Sequence, residues 1–119
     1  EQVVKNVIED AKATGASITL VTDPKEAVKD ADIVVTDTWA SMGQEAEHDM
    51  RKKIFAPYQV NKELLQGADK RAIVMHCLPA YRGEEITEDV FEANADVIFD
   101  EAENRLHTQK AIMALTMGD

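Results

Sequence analysis

Apolar positions along the chain fall into short runs separated by segments of helical period. Ser17-Ile18-Thr19-Leu20-Val21, Ile33-Val34-Val35-Thr36, Ala72-Ile73-Val74-Met75-His76 and Val97-Ile98-Phe99 are short, largely β-branched or apolar, and read as buried strands. Residues 2–14 place Val3, Val4, Val7, Ile8 and Ala11 on one helical face, and Gly15 stands where a left-handed cap belongs. Asp23-Pro24-Lys25-Glu26 opens a short helix, with Asp23 as cap and Pro24 at its first position. Residues 45–55 predict a helix that stops before Pro57, and Asn61 to Leu65 a shorter one closed by Gly67. Thr87 caps a further helix, and the last is expected from about Glu103 to Met117, ended by Gly118.

The order α-β-α-β-α-α-β-α-β-α predicts an α/β fold, a Rossmann-like parallel sheet with helices on both faces. A helix that covers a sheet normally follows a strand of its own unit. A chain that opens on a helix and holds four strands is therefore expected to be a partial domain, with residue 1 not the native start.

Ligands of open α/β sheets bind beyond the carboxyl ends of the strands. Three runs end there in chemically capable residues: Asp37 to Gly43, His76-Cys77, and Asp100 to Arg105, which points to one pocket. His76 and Cys77 are adjacent, so an extended strand turns them to opposite sides and they do not pair as nucleophile and base. Each also has a plain reading, Cys77 as a packed thiol and His76 as a core imidazole satisfied by a backbone carbonyl. Asp37 can take an ammonium group, while Ser41 and the Met42-Gly43 turn can hold a carboxylate, together suiting a zwitterionic amino acid. Capping of a helix by Ser41 and of a turn by Asp37 explains the same residues. Arg105, early in the expected last helix, sits where the helix dipole disfavours a cation. It can donate to a carbonyl or phosphate oxygen, or simply pair with nearby glutamates.

Composition narrows the functions further. Net charge is −10 over 119 residues, and the one basic run, Arg51-Lys52-Lys53, is flanked by acids, which argues against nucleic acid as a partner. No apolar stretch approaches the ~20 residues of a membrane span, and the first residues lack the pattern of a signal peptide. A single cysteine excludes an internal disulfide and is compatible with the cytoplasm. Cys77, His76, His48 and His107 have none of the spacings of a zinc site, so no metal or other cofactor is expected.

Three longer motifs carry a family resemblance. Asp37-Thr38-Trp39-Ala40-Ser41-Met42-Gly43-Gln44-Glu45, His76-Cys77-Leu78-Pro79-Ala80-Tyr81-Arg82-Gly83-Glu84-Glu85 and Glu103-Asn104-Arg105-Leu106-His107-Thr108-Gln109-Lys110-Ala111 resemble the ornithine carbamoyltransferase family, in that family's order. The resemblance covers essentially the whole chain. It implies that residues 1–119 are the latter part of the C-terminal, ornithine-binding domain, lacking its first strands. The family's Ser-Thr-Arg-Thr phosphate motif is not present in this sequence. The implied reaction moves a carbamoyl group from carbamoyl phosphate to the δ-amino group of L-ornithine, giving citrulline and phosphate. By the same resemblance, Asp37, Ser41 and Met42 bind ornithine, Cys77, Leu78 and Arg105 border the carbamoyl group, Cys77 is a candidate proton acceptor, and Arg105 polarises the carbonyl. A trimer-based oligomer is implied for the complete enzyme, with no activity expected of the 119 residues alone. Putrescine or an acylated ornithine as acceptor, or an amino-acid-binding fragment without catalysis, are the alternatives.

Overall fold

A computed structural model of the chain describes residues 2–40, 43 and 47–117. Its elements are α1 (Gln2–Thr14), α2 (Pro24–Ala27), β1 (Ile33–Thr36), α3 (His48–Phe55), a 3-10 turn (Ala56–Tyr58), α4 (Lys62–Leu65), β2 (Ile73–His76), α5 (Glu88–Ala93) and α6 (Ala95–Met117). α2 and α4 begin where a side chain satisfies an otherwise orphaned amide, whereas Thr87 stands at the N-cap of α5 without a side-chain capping bond. Asp23 accepts the Lys25 N–H at 2.9 Å, and Asn61 accepts the Leu64 N–H at 2.9 Å. Gly15 takes φ +77° beyond α1, the left-handed turn expected of it.

β1 and β2 pair in parallel with Ile33 opposite Ile73 and Thr36 opposite His76. This register has one consequence for function. Both strands end at the same level, so Asp37 and Cys77 leave the sheet side by side. The far edge of β2 is covered at one point, where the Val74 N–H donates to the Asn94 side-chain oxygen at 3.2 Å. Val60, Val74, Ile86, Val90, Phe91 and Ile98 form the core under the sheet, with Val34, Leu65, Leu78 and Ala80 packed against it.

Two expected strands are absent among the described residues. Residues 17–21 form no ladder, and Ile18 and Leu20 are exposed. Strand propensity expresses itself only against a neighbouring strand. Val21 instead lines, with Ile33 to Thr36 of β1 and the Asp37 that follows, a groove of about 460 Å³. The sheet is therefore not continuous from residue 17 onward. Val97-Ile98-Phe99 lies inside α6, where the Ile98 N–H donates to the Asn94 carbonyl at 3.0 Å. Three apolar residues do not separate strand from helix by period, and here Asp96 in the first turn and the helix formers after Asp100 extend the helix through them. Ile98 is fully buried while Phe99 is half exposed and meets Phe91 edge to face at 6.0 Å. Because α6 begins at Ala95, Arg105 sits near its middle rather than at its start, and the helix-dipole argument no longer applies to it. The described part of the helix expected over 45–55 begins at His48, and Gly118 lies outside the described residues.

A candidate active site at the strand ends

β1 delivers Asp37 and β2 delivers His76 and Cys77 to one end of the sheet. One ligand-capable atom from each of the three lies within 4.8 Å of the others. His76 and Cys77 thus come closer than an extended strand allows, because β2 ends at His76 and the chain turns at Cys77. They still make no nucleophile–base pair. Both nitrogens of the fully buried His76 ring are committed: Nδ1 accepts the Leu78 N–H at 2.9 Å, and Nε2 meets Glu85 Oε1 at 2.9 Å. Since Nδ1 accepts, the ring proton is on Nε2 and donates to the carboxylate. A metal at this cluster would find both His76 ring nitrogens already hydrogen-bonded.

The Cys77 thiol stands above its ordinary pKa. Burial is the largest cause, its hydrogen bond to the Asp37 carboxylate and the charges of Asp37 and Glu101 act in the same direction, and the Arg105 guanidinium pulls it back. At neutral pH the side chain is a thiol directed at Asp37, not a free thiolate base. Arg105 reaches from α6 and donates through Nη1 to the Cys77 carbonyl at 3.3 Å. It also lines a cavity of about 500 Å³ with Met75, Glu101 and Asn104. Asp37, by contrast, lines the groove beside β1. The three strand ends therefore do not form the single pocket read from sequence. Asp37 faces one opening and Arg105 the other, and Cys77 is hydrogen-bonded to both residues.

Leu78 has φ +54°, a left-handed conformation that costs a bulky residue on the order of 1–3 kcal/mol. The bond Leu78–Pro79 is cis. The Leu78 side chain packs against the core and its N–H is held by His76, so the carbonyl is the polar group this residue offers. Ser41 and Met42 lie outside the described residues. Trp39 stacks on Phe55 at 6.3 Å and accepts from Arg51 through its carbonyl at 3.3 Å, which ties the loop after Asp37 to α3.

Sequence reading missed two partners. Glu85 is fully buried and takes both the His76 ring and the Tyr81 N–H on Oε1, the latter at 2.7 Å. Glu84 pins α3 to the same turn through His48 at 2.9 Å and Lys52 at 3.1 Å. Nothing in the acidic pair after Gly83 separates the buried Glu85 from Glu84, because a carboxylate enters a core only when a partner such as His76 meets it there.

The parallel strands, the helices between them and the polar residues at the shared strand ends define a Rossmann-like α/β domain of the kind that binds small molecules at that edge. Residues 1–116 match the aspartate/ornithine carbamoyltransferase Asp/Orn binding domain, and the chain belongs to that family. It is 58% identical over 117 residues to the ornithine carbamoyltransferase of Thermococcus kodakarensis, covering 98% of this chain and 37% of that protein. The solved structure of the Pyrococcus furiosus ornithine carbamoyltransferase superposes with TM-score 0.89 at 55% identity, covering 98% of this chain and 37% of that one. The anabolic enzyme of Campylobacter jejuni gives TM-score 0.91 at 45% identity, over 96% of this chain and 38% of that one. The chain thus spans little more than a third of the length of these relatives.

Proposed function

We propose that this chain is the latter part of the ornithine-binding domain of an ornithine carbamoyltransferase, the remainder of the protein supplying the carbamoyl phosphate site. The observation that carries the reading is the meeting of Asp37, Cys77 and Arg105 at the paired ends of β1 and β2, on a chain 53–60% identical to proteins of that name. The δ-nitrogen of ornithine bonds to the carbonyl carbon of carbamoyl phosphate, the C–O bond to phosphate breaks, and the amine loses a proton as phosphate leaves.

Each residue has a role that follows from its surroundings. Asp37, with Ser41 and Met42, receives the amino-acid end of ornithine. Burial is the largest cause that holds the Cys77 thiol up, and an ammonium group beside Asp37 offsets the charge that adds to it, so substrate arrival moves Cys77 in the direction of the thiolate and of accepting a proton. Leu78 borders the carbamoyl group with its carbonyl. Arg105 is one hydrogen bond away from the same turn and donates to the carbonyl oxygen as negative charge grows there. The complete enzyme acts in the cytoplasm as a trimer-based oligomer and takes neither nucleic acid nor a membrane as partner. Among the described residues no helix is long and apolar enough to cross a membrane.

N-acylated ornithine is the second acceptor to weigh, because a solved N-acetyl-L-ornithine transcarbamylase superposes with TM-score 0.78 at 28% identity. An acyl group removes the ammonium that Asp37 would take, which favours free ornithine. Product formation by the complete protein, measured side by side with ornithine, N-acetylornithine and putrescine, decides between them. Citrulline from ornithine at a kcat/KM at least about tenfold above the other two supports the reading. A preference for either alternative overturns it.

A further inference from the structure

We propose that His76 and Glu85 are positioning residues that fix the Cys77–Tyr81 turn, and with it the carbonyl and thiol groups the turn presents. The inference rests on the carbamoyltransferase reading above. Both side chains are fully buried, so neither can touch a substrate that enters from solvent. Together they hold both ends of the turn. The His76 ring takes the Leu78 N–H at 2.9 Å, and Glu85 Oε1 takes the Tyr81 N–H at 2.7 Å while accepting from His76 at 2.9 Å. One imidazole and one carboxylate oxygen thereby join the last residue of β2 to the backbone on either side of Pro79-Ala80.

The turn needs such a clamp. Leu78 is held at φ +54°, which a branched residue leaves unless its surroundings fix it. Its N–H is the group the ring accepts. Glu85 is itself anchored, since its carbonyl receives the Val60 N–H at 2.8 Å and the next residue, Ile86, is fully buried in the core. The ring at the end of β2 thus holds the Leu78 amide directly, and the core-anchored carboxylate holds the Tyr81 amide directly. Glu85 Oε2 is buried with no partner among the described residues. The dyad thus uses one oxygen for two donors, and geometry rather than a full set of bonds to both oxygens is what it supplies.

Positioning and proton relay make different demands on the ring. A positioning ring needs the Nδ1 acceptor, which an Asn side chain reproduces by reach, whereas Gln reaches toward Glu85 and leaves the Leu78 N–H without a partner. A relay needs a titrating ring, which neither amide supplies.

The test uses the complete protein, with His76→Asn, His76→Gln and Glu85→Gln compared by steady-state kinetics across pH. Turnover of ornithine by the unsubstituted protein first establishes the reading underneath, separately from the dyad. His76→Gln is expected to lose about 100-fold in kcat, the scale of a misplacement of about 1 Å. His76→Asn should recover kcat to within about fivefold, with ornithine KM moving less than about threefold in either variant. Glu85→Gln, which keeps the Oε1 acceptor, should also stay within about fivefold, and the pH profile of kcat should be unchanged in His76→Asn. Equal losses in the Asn and Gln variants, or native kcat in both, would overturn the proposal. So would loss of one limb of the pH profile in His76→Asn. If His76→Gln is recovered unfolded, Glu85→Gln decides: kcat within about fivefold supports the clamp, and a larger loss overturns it.

Discussion

Arg105 donates from Nη1 to the carbonyl oxygen of Cys77 at 3.3 Å, so a cation on α6 rests on the backbone of the residue whose thiol faces Asp37. The site is therefore assembled from three elements through the backbone of one turn. Arg105→Gln in the complete protein is expected to lower kcat about 100-fold, the usual loss when a donor to a developing oxyanion is removed, with little change in ornithine KM. Steady-state kinetics at saturating carbamoyl phosphate reads this directly.

Cys77 is the only cysteine of the chain, so its titration can be followed by alkylation without interference. Burial, then the hydrogen bond and charge of Asp37, hold its folded pKa above the ordinary thiol value of 9.0. Alkylation should be slow at neutral pH, rise with the thiolate fraction as pH increases, and level off only above pH 9 in the folded chain. Asp37→Asn removes causes that raise the pKa and should shift the profile to lower pH. Arg105→Gln removes the cause that lowers it and should shift the profile up. The same raised pKa means that this thiol's contribution to stability is fully present below the unfolded-state pKa and is lost as pH rises through the higher folded value. Shifts of the opposite sign would show that the thiol does not sit against Asp37.

Asn94 joins two elements, accepting from the Val74 N–H at 3.2 Å and donating to the Val90 carbonyl at 2.9 Å. Val74 is almost fully buried, so removing the acceptor leaves its amide without a partner. Asn94→Ala should destabilise the chain by about 1–3 kcal/mol in urea denaturation. Asn94→Asp, which keeps an acceptor oxygen, should cost less.

Ile98 is fully buried in the core while its neighbour Phe99 is half exposed. Truncation of Ile98 to Ala should cost about 2–5 kcal/mol, and truncation of Phe99 markedly less. Equal effects would contradict the helical arrangement of residues 95–99, because that arrangement gives the two side chains different depths.

How much of this was legible in sequence depended on where each signal came from. Asp23 announced its helix because a cap acts on an amide two residues away, whereas the cap at Asn61 shows only in the structure. Ile33–Thr36 and Ile73–His76 became strands because each found the other. Residues 17–21 have comparable propensity and no ladder, which shows that the partner, not the run, makes the strand. Val97-Ile98-Phe99 was misread because three residues fit either period, and that error carried Arg105 to the wrong part of its helix. The site fared similarly. The family motifs gave Asp37, Cys77 and Arg105, and the parallel register and α6 bring them to the same turn. Glu85 escaped notice because its role depends on burial beside His76 at 2.9 Å, and depth cannot be read from a Gly-Glu-Glu string.

The central claim is that Asp37 receives the amino-acid end of ornithine beside Cys77. Ornithine affinity of the complete protein, with and without Asp37→Ala, tests it most directly. Loss of a charged partner to the ammonium group should raise the ornithine dissociation constant at least about tenfold while carbamoyl phosphate affinity changes little. An unchanged ornithine affinity in a folded Asp37→Ala protein would contradict the account.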